Sequence, residues 1–576
     1  MISRRRFLLA GGAGLASVAY GPRVAFGQQR AATQTITLTA TAAHMGQYLY
    51  LPFEVPGGVS RIDVSVTKQG DAKTGAGLFD HRGAGYQSAG FRGIYGEERS
   101  EFFVAAHEAS QSFLPGAIEA GTWTVIVPVF SVTTPTEVTV TVVLTFGAAH
   151  GVPGLAPVPE VVLDAAGWYR GDLHCHTPES SDAWRSGSAL TPSAWADTAR
   201  ELGLDFMAMT DHNVVTQNLG LRRAAGSDVL LLAGEEMTNW FHGHATVSGI
   251  DVGDWLDWRQ TPLGLPLPTG EPGARIQEFL ATAREMGAFV SAAHPLGLHL
   301  SWQFLADGDL DPAARTDALE VWTGPFQPDD EAALVAWDDR LRRGWRVWAN
   351  GGSDLHGVAN TNGFQAGTPT TVVYAEQLSR SAIVQALRAG RCFVTRRPDG
   401  VEAYLRAEGP ADQRQIMGGT IHGSPLDRVD IEVLIRRASG MRCVLIRDGA
   451  VVSVTPITSD EQRVTARVPI GAGGYVRAEV RGVPEVDPAN PLAGRTDMEA
   501  FTNPIFLAVG RVPDDAVPMD APPGPPGPRR PAAAARLGPA PAGATLPPAE
   551  AMAALSAACA EAARAGGGCA HAHSHP

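Results

Sequence analysis

The 576-residue chain is poor in cysteine and in positive charge, and it contains few long apolar runs. Its five cysteines are an odd number, and their scattered positions show no disulfide framework. Cys559 and Cys569, near the carboxyl end, are close enough in sequence to suggest one bridge. The formal net charge of −14 and the lack of basic tracts argue against nucleic acid as a partner. These absences exclude a disulfide-stapled scaffold and disfavour a nucleic-acid-binding protein.

The amino terminus carries the one stretch that invites a membrane or export interpretation. Residues 3–9 read Ser-Arg-Arg-Arg-Phe-Leu-Leu, a small-residue apolar stretch reaches about Ala19, and residues 25–27 offer a cleavage site before Gln28. The stretch is shorter than the ~20 apolar residues that a bilayer span needs. It resembles a twin-arginine export signal. The resemblance implies the twin-arginine export machinery as a partner, no stable membrane anchor, and a periplasmic or secreted location.

Two regions alternate in polarity with the period of two that marks half-buried strands. Residues 33–150 contain such runs between Gly/Pro turns, which predicts a β-sandwich with a structural or site-capping role. Residues 400–508 predict a second β unit, with a type I′ hairpin turn at Asp448-Gly449. Beyond Val512 a Pro- and Ala-rich composition predicts a disordered tail, and its His-rich end could bind metal.

Nine histidine and carboxylate residues in the central part of the chain form the strongest chemical signal. Imidazole and carboxylate groups in a mixed array suit borderline divalent cations, and nine exceed what one tetrahedral site uses. A cluster of two or three metals that activates water for hydrolysis is the economical interpretation. The candidate ligands are His174, His176, Asp182, His212, Glu236, His244, His294, Asp354 and His356.

The candidate ligands follow a repeated pattern along the chain. A short apolar run precedes most of them, and helical stretches that end in basic residues and a glycine lie between the runs. Thr191-Pro192 begins the first of these helices as an N-cap and an N1 proline. Alternating strands and helices predict a largely parallel sheet or barrel, in which side chains at the carboxyl ends of strands converge on one mouth.

Between about Trp168 and Thr395 the motifs His-x-His, Thr-Asp-His, Gly-x-Glu-x-Thr, Gly-His, His-Pro, Glu-Val-Trp and Gly-Ser-Asp-x-His occur in this order. In this stretch the chain resembles the PHP (polymerase and histidinol phosphatase) metallohydrolases, and more narrowly their carbaryl-hydrolase-like CehA/McbA branch. The resemblance implies a multidomain protein in which a distorted (β/α)7 PHP barrel lies between an N-terminal β-sandwich and a C-terminal β domain. The expected boundaries are 1–28 for the signal, 29–160 for the sandwich, 161–398 for the barrel, 399–510 for the C-terminal β domain and 511–576 for the tail.

The resemblance also implies how the ligands divide among the metals, with Glu236 as a bridge between two of them. Glu236, Asp354 and His356 are the candidate catalytic residues. One ambiguity stays open, because His242 and His244 form their own His-x-His pair; His244 is preferred for its spacing to Gly249. The implied groups are His174, His176, Glu236 and Asp354 for the first metal, Glu236, His244 and His294 for the second, and Asp182, His212 and His356 for the third.

Residues beside these motifs carry weaker signals. Glu235 should face the opposite side of its strand from Glu236, with a role behind the ligands as the alternative. Asp211 either forms a turn or orients the adjacent loop or His212. Cys175 alternates with two ligands on the first strand and should pack away from the metals.

Aromatic residues and isolated histidines lie outside the main pattern. Trp240, Phe241, Trp302 and Trp322 lie near ligand motifs, where they either line an apolar pocket or belong to the core. Isolated histidines such as His299 and His422 are expected to be structural.

Two functions remain in competition. The first is an exported hydrolase in which a metal-bridged hydroxide, held against Glu236, cleaves a phosphate ester or a carbamate or carboxyl ester of a small-molecule substrate. Its cofactors would be two or three divalent ions, with zinc expected and manganese or iron as alternatives. The second is a non-catalytic periplasmic metal- or ligand-binding protein, whose metal sites would be closed by protein ligands.

Overall fold

The structure is a computed structural model that describes residues 18–20, 31–147, 160–224, 228–239, 243–260, 274–297, 302, 315–358, 363–486, 495–513, 519, 521 and 522. Contacts divide the chain into two compact units, Met1–Pro153 and Gly154–Pro576. Most of the predicted export signal, the Cys559–Cys569 pair and the His-rich end lie outside the described residues, as do Trp240, Phe241, His242 and His299. No helix of the described part has the length and apolar character that crossing a membrane requires.

The first unit consists of two antiparallel sheets around one core. The central strand β10 shows the expected alternation, because its valines Val138, Val140 and Val142 are buried while the residues between them are partly exposed. The strands are β1 (Val18–Tyr20), β2 (Ala31–Ala40), β3 (Tyr48–Val55), β4 (Val59–Gln69), β5 (Lys73–Thr74), β6 (Ala76–Phe79), β7 (Phe91–Tyr95), β8 (Glu101–Ala105), β9 (Gly121–Ser131) and β10 (Thr136–Phe146).

The second unit is rich in strands. Its strands are β11 (Val161–Leu163), β12 (Gly167–Cys175), β13 (Phe206–Met209), β14 (Leu230–Asn239), β15 (Gly243–Ser248), β16 (Phe289–Ala293), β17 (Ala318–Thr323), β18 (Trp348–Gly352), β19 (Thr370–Ala375), β20 (Leu378–Ser379), β21 (Cys392–Thr395), β22 (Glu402–Glu408), β23 (Arg414–Ile416), β24 (Thr420–Gly423), β25 (Arg428–Arg436), β26 (Arg442–Arg447), β27 (Ala450–Pro456), β28 (Glu461–Pro469), β29 (Gly474–Val486), β30 (Arg495–Thr502) and β31 (Ile505–Val509). Its described α-helices are α1 (Ser181–Ser186), α2 (Pro192–Leu202), α3 (Asn218–Ala224), α4 (Ala274–Glu285), α5 (Pro328–Arg342) and α6 (Arg380–Arg388).

Seven consecutive strands, β12 to β18, lie side by side in chain order. Strands β12 to β14 are parallel to one another, and so are β16 to β18, whereas β15 runs antiparallel to both of its neighbours. The loop after β18 returns to β12, where the Asp354 N–H donates to the His174 carbonyl at 2.9 Å. The His176 N–H donates to the Leu355 carbonyl at 3.3 Å. The first and last strands of the run therefore meet at the loops that carry candidate ligands.

The expected (β/α)7 barrel is not shown, although the fold is multidomain and strand-rich. The described residues hold six α-helices, and three residues separate β14 from β15. So short a connection permits an antiparallel return only, because a parallel crossover needs a dozen or more residues. Strand β12 also pairs antiparallel with β19, which connects the run through β21 to β30 and the C-terminal strands.

Local signals in the sequence do set the boundaries of several elements. The Thr191 hydroxyl accepts the Ala194 N–H at 3.3 Å and Pro192 is the first residue of α2, so the predicted N-cap is confirmed. Gly203 ends this helix with a φ of 73°, in the left-handed region that glycine adopts without strain. Asp448 and Gly449 both have positive φ between β26 and β27, which confirms the predicted I′-type hairpin.

Part of the segment expected to be a disordered tail is bound to the second unit. The Met519 N–H donates to the Arg414 carbonyl at 2.9 Å, and the Trp168 indole N–H donates to the Pro522 carbonyl at 3.1 Å. Met519 and Ala521 also pack against the hydrophobic core that contains Trp168. The expectation of a free tail therefore does not hold for Met519, Ala521 and Pro522, because the apolar side chains of Met519 and Ala521 find a partly buried place on the core.

Because of this contact, we expect two truncated forms of the protein to differ in stability. Ending the chain after Pro513 removes the Met519 packing and both hydrogen bonds, and should lower the free energy of unfolding by about 1–3 kcal/mol. Ending it after Pro522 keeps these contacts and serves as the matched control. Denaturant unfolding of the two proteins measures the difference, and equal stabilities would mean that the contact contributes nothing.

Candidate metal centre

All nine candidate ligands lie at one end of the strand run β12 to β18. Every strand of this run except β17 supplies a ligand. In all of these strands but β15, the ligand lies among the last residues of the strand or in the loop that follows. Because β15 runs antiparallel, its first residues lie where its neighbours end. His244 therefore reaches the same mouth from the beginning of its strand, paired with Thr238 of β14 and Ala293 of β16.

Glu236 lies at the centre of the cluster. Its Oε2 atom is 3.3 Å from His174 Nε2, 3.4 Å from His176 Nε2 and 2.8 Å from His212 Nδ1. Its Oε1 atom is 2.9 Å from His244 Nδ1 and 3.4 Å from His294 Nε2. A bridging role for this side chain is compatible with the arrangement, since each oxygen faces a different set of imidazoles.

The pKa of Glu236 depends on its burial and on these neighbouring imidazoles. Its side chain is fully buried, and burial alone would favour the protonated form. The facing His212, His174 and His244 outweigh burial and hold the pKa of Glu236 well below its usual range. The carboxylate is therefore available to bind a cation.

Asp354 completes the first group of ligands. Its Oδ1 atom is 3.2 Å from His174 Nε2 and 3.0 Å from His176 Nε2, on the side of these rings that also faces Glu236. His174, His176, Glu236 and Asp354 offer ligand atoms that all lie within 4.8 Å of one another. This group has the same four members as the first metal site that the resemblance implies.

The other two groups differ in part from the expected division. Asp182 Oδ2 is 3.1 Å from His356 Nε2 and 3.2 Å from His212 Nε2, so these three residues do meet. His212 also faces Glu236 through its other ring nitrogen. Its ring thus lies between two sites, and the close-set groups are His176, His212 and His356, and His212, Glu236 and His244. His294 Nε2 is 3.4 Å from Glu236 Oε1 and belongs to none of the close-set groups of the described residues.

The donor atoms fit divalent cations. His174 Nε2, His244 Nε2 and Glu236 Oε2 are buried and make no hydrogen bond within the described structure. A buried polar atom without a partner costs about 1–3 kcal/mol, so three of them in one cluster call for a common partner. Imidazole nitrogens and carboxylate oxygens are the ligands that zinc, manganese and iron accept.

One side of the cluster is open to solvent. The side chains of Asp182 and His356 are 32% and 24% exposed, whereas those of His174, His176 and Glu236 are completely buried. Asp182, His212 and His356 therefore form the rim, and the Glu236-centred group forms the floor. Solvent therefore reaches the cluster at the rim.

Two of the candidate ligands have a strained backbone conformation. His294 and Asp354 have φ values of 28° and 50°, in the left-handed region. Such residues cost of order 1–3 kcal/mol and persist where the surrounding structure holds them, often at functional sites. Gly352 explains one close approach, since a Cβ atom there would lie 2.4 Å from the Cβ of His174. A glycine is required where β18 packs against the first ligand strand.

Two buried carboxylates behind the ligands were not predicted as site residues, although Glu320 begins the Glu-Val-Trp motif. Asp172 accepts the backbone N–H groups of His174 at 3.2 Å, Ser353 at 2.9 Å and Gly367 at 2.8 Å, and so ties β12 to the loop that carries Asp354. The period of two that relates His174 to His176 extends back to Asp172 and could have indicated it. Glu320 contacts the His174 ring from β17.

The neighbours considered in the sequence take structural positions. Asp211 accepts hydrogen bonds from the N–H and hydroxyl groups of both Thr177 and Ser180, which holds the loop after His176. Burial raises the pKa of Asp211 to about 7, although the hydrogen bonds from these donors act to lower it. Glu235 accepts the Leu256 N–H at 2.9 Å on the other face of β14. Cys175 is buried and its thiol is not among the clustered ligand atoms.

The described aromatic residues near the motifs belong largely to the core. Trp322 is buried, packs against Phe326 and Phe501 and donates its indole N–H to the Gly324 carbonyl. Trp302 is buried as well. His422 lies in β24, away from the ligand groups.

Comparisons with known proteins give little further information. No family model matches the chain, and no curated protein matches it. A solved two-domain protein from Bacteroides vulgatus, described as containing a predicted PHP-like metal-dependent phosphoesterase, is similar over 62% of this chain and 100% of that chain. The identity is 17% and the TM-score is 0.32. A likeness at this level identifies neither fold nor function, so the function is inferred from the site itself.

The rim position of Asp182 predicts a selective loss of metal. Asp182→Ala should lower the metal content of the loaded protein by about one ion, because the buried group around Glu236 does not depend on this side chain. Elemental analysis of the dialysed protein measures the content. Asp197→Ala, which removes an exposed carboxylate of α2, is the control. An unchanged metal content in Asp182→Ala would remove this residue from the ligands.

Proposed function

We propose that this protein is a metal-dependent hydrolase of ester bonds and that phosphate esters are its preferred substrates. The observation that carries the proposal is the combination of three overlapping ligand groups with an open rim. The buried floor would bind the cations, and the exposed rim would admit the substrate. A non-catalytic metal-binding protein would need no such access, so the open side favours the enzyme.

Charge balance favours an anionic substrate. The cluster contains three carboxylates, from Asp182, Glu236 and Asp354, and histidines bind metals in the neutral form. With Glu320, which contacts His174, counted as a fourth carboxylate, two divalent cations would leave the site neutral and three would leave it with an excess of two positive charges. A site with such an excess attracts a phosphate ester more strongly than a neutral carbamate or carboxyl ester.

The residues of the chain have separate tasks in this proposal. Bound divalent cations would lower the pKa of water from about 15.7 toward 7 and so supply a nucleophile at neutral pH. Glu236 holds the buried group together. Asp354 would bind the first cation through Oδ1, which is 3.0 Å from His176 Nε2, and its other oxygen is the candidate acceptor for a proton of the attacking water. His356 Nε2 and Asp182 would hold a further cation on the rim, where an anionic substrate would enter.

We also propose which cations the site binds and where the protein is located. The nitrogen and oxygen donor set suits two or three ions of zinc, manganese or iron, with zinc favoured by its preference for imidazole. Twin-arginine export and a periplasmic or secreted location rest on residues 3–28 alone.

Hydrolysis assays on metal-loaded protein test the substrate class. With zinc or manganese bound, p-nitrophenyl phosphate or bis-p-nitrophenyl phosphate should be hydrolysed faster than 1-naphthyl N-methylcarbamate, because the excess positive charge of a site with three cations favours the anions. Protein treated with a chelator is the control. Faster cleavage of the carbamate would mean that neutral esters are the preferred substrates. If the protein binds metal but hydrolyses none of the three compounds, the non-catalytic metal- or ligand-binding function is favoured.

The bridging role of Glu236 predicts that metal content and turnover fall together. Glu236→Gln removes the negative charge that lets two cations lie close to each other, while it keeps the size of the side chain. Elemental analysis and turnover are measured on the same preparation. Glu235→Gln is the matched control, since the neighbouring side chain lies on the other face of β14 and contacts Leu256. Full metal content with lost turnover in Glu236→Gln would show that this residue acts without bridging.

A further inference from the structure

Strand β17 is the one strand of the run that brings no ligand to the metal centre, but it brings Glu320 to the back of a ligand. Glu320 Oε2 is 2.8 Å from His174 Nδ1, and both side chains are buried completely. The opposite ring nitrogen, His174 Nε2, lies 3.3 Å from Glu236 Oε2 and 3.2 Å from Asp354 Oδ1. One nitrogen of the His174 ring thus faces the Glu320 carboxylate, and the other nitrogen faces the first ligand group.

Glu320 is itself held in place. Its Oε1 atom accepts the Thr323 hydroxyl at 2.8 Å, and the Thr323 N–H donates to Asp330 Oδ1 at 3.0 Å. Asp330 also accepts the Gln327 N–H at 2.6 Å, at the start of α5. A chain of hydrogen bonds therefore runs from the first turn of α5 through the end of β17 to His174. Both oxygens of Glu320 accept a hydrogen bond, which fixes the rotamer of the carboxylate.

The second histidine of the same ligand group has a weaker support. His176 Nδ1 is 2.9 Å from the Ser180 hydroxyl, which donates to Asp211 Oδ1 at 2.8 Å and can therefore accept from the ring. A neutral hydroxyl fixes the tautomer but adds little negative charge. A carboxylate does both, because it holds the proton on Nδ1 and makes Nε2 a stronger donor.

We propose that Glu320 is a positioning residue that fixes His174 with Nε2 facing the first ligand group and strengthens that nitrogen as a metal ligand. The inference rests on the proposed metal centre and deepens it, since it assigns control of the affinity of one cation to a residue that touches no substrate. Loss of such a supporting partner weakens metal binding by roughly 10- to 100-fold.

The test is the affinity of the full-length protein for Zn²⁺, measured by competition with a chromophoric chelator. Glu320→Gln keeps the size of the side chain and an oxygen for the Nδ1 proton but loses the charge, and should weaken one cation by roughly 10-fold or more. Glu320→Leu removes the acceptor as well and should weaken it further. Thr323→Val, which frees one carboxylate oxygen, should have a smaller effect. The remaining cations should keep their affinity in all three variants.

A matched control separates support of the ligand from general stability. Asp317→Asn alters a largely buried carboxylate just before β17, which accepts the Val290 N–H at 3.0 Å and lies outside the hydrogen bonds that hold Glu320, and should lower the melting temperature while the Zn²⁺ affinity stays unchanged. Visible spectra of Co²⁺-substituted protein give a second readout, because a changed His174 donor alters the absorption of the bound Co²⁺. If Glu320→Leu does not fold, Glu320→Gln decides the question.

The outcomes separate this inference from the proposed function. Wild-type Zn²⁺ affinity and an unchanged Co²⁺ spectrum in Glu320→Gln and in any folded Glu320→Leu protein would overturn the role of Glu320. A wild-type protein that binds the cations but hydrolyses no ester contradicts the proposed function, while the affinities still decide the role of Glu320. A wild-type protein that binds no cation overturns both.

Discussion

The second unit depends on the burial of one carboxylate, Glu236, among five imidazoles. Removing a carboxylate from water costs several kcal/mol unless charges and hydrogen bonds compensate it. Compensation here comes from histidines of different strands, with His212 Nδ1 at 2.8 Å and His244 Nδ1 at 2.9 Å as the nearest. The order of the strands, the reversal of β15 and the return of the β18 loop to β12 all bring imidazoles to this point. The arrangement of these strands therefore builds the candidate metal centre.

Two buried carboxylates lie directly behind the ligands of this cluster. Asp172 ties the first ligand strand to the loop that carries Asp354 through backbone hydrogen bonds, and Glu320 holds the ring of His174. Buried carboxylates of this kind are costly by themselves, so they are retained where they orient something. The strained φ values of His294 and Asp354 fit the same interpretation, because the surrounding hydrogen bonds hold the ligands in conformations that an isolated chain would avoid.

Much of the site could be predicted from the sequence, because ligand chemistry and strand periodicity are both written in short segments. All nine candidate ligands come together, and the N-cap at Thr191 and the turn at Asp448-Gly449 occur as local signals predicted. The direction of β15, the double orientation of His212 and the binding of Met519 to the core depend on long-range packing, which local patterns do not encode. A distorted (β/α)7 barrel was expected from the family resemblance, and the described structure shows a seven-strand run in which β15 is reversed.

Anomalous diffraction from crystals of the metal-loaded protein tests the central claim most directly, since it locates the cations without reference to activity. Cations should lie about 2.0–2.2 Å from the ligand atoms of the Glu236 cluster, with Glu236 in contact with two of them. The site on the rim should contain a further cation beside Asp182. Cations bound elsewhere in the chain, with the Glu236 cluster empty, would contradict the assignment of this cluster as a metal centre.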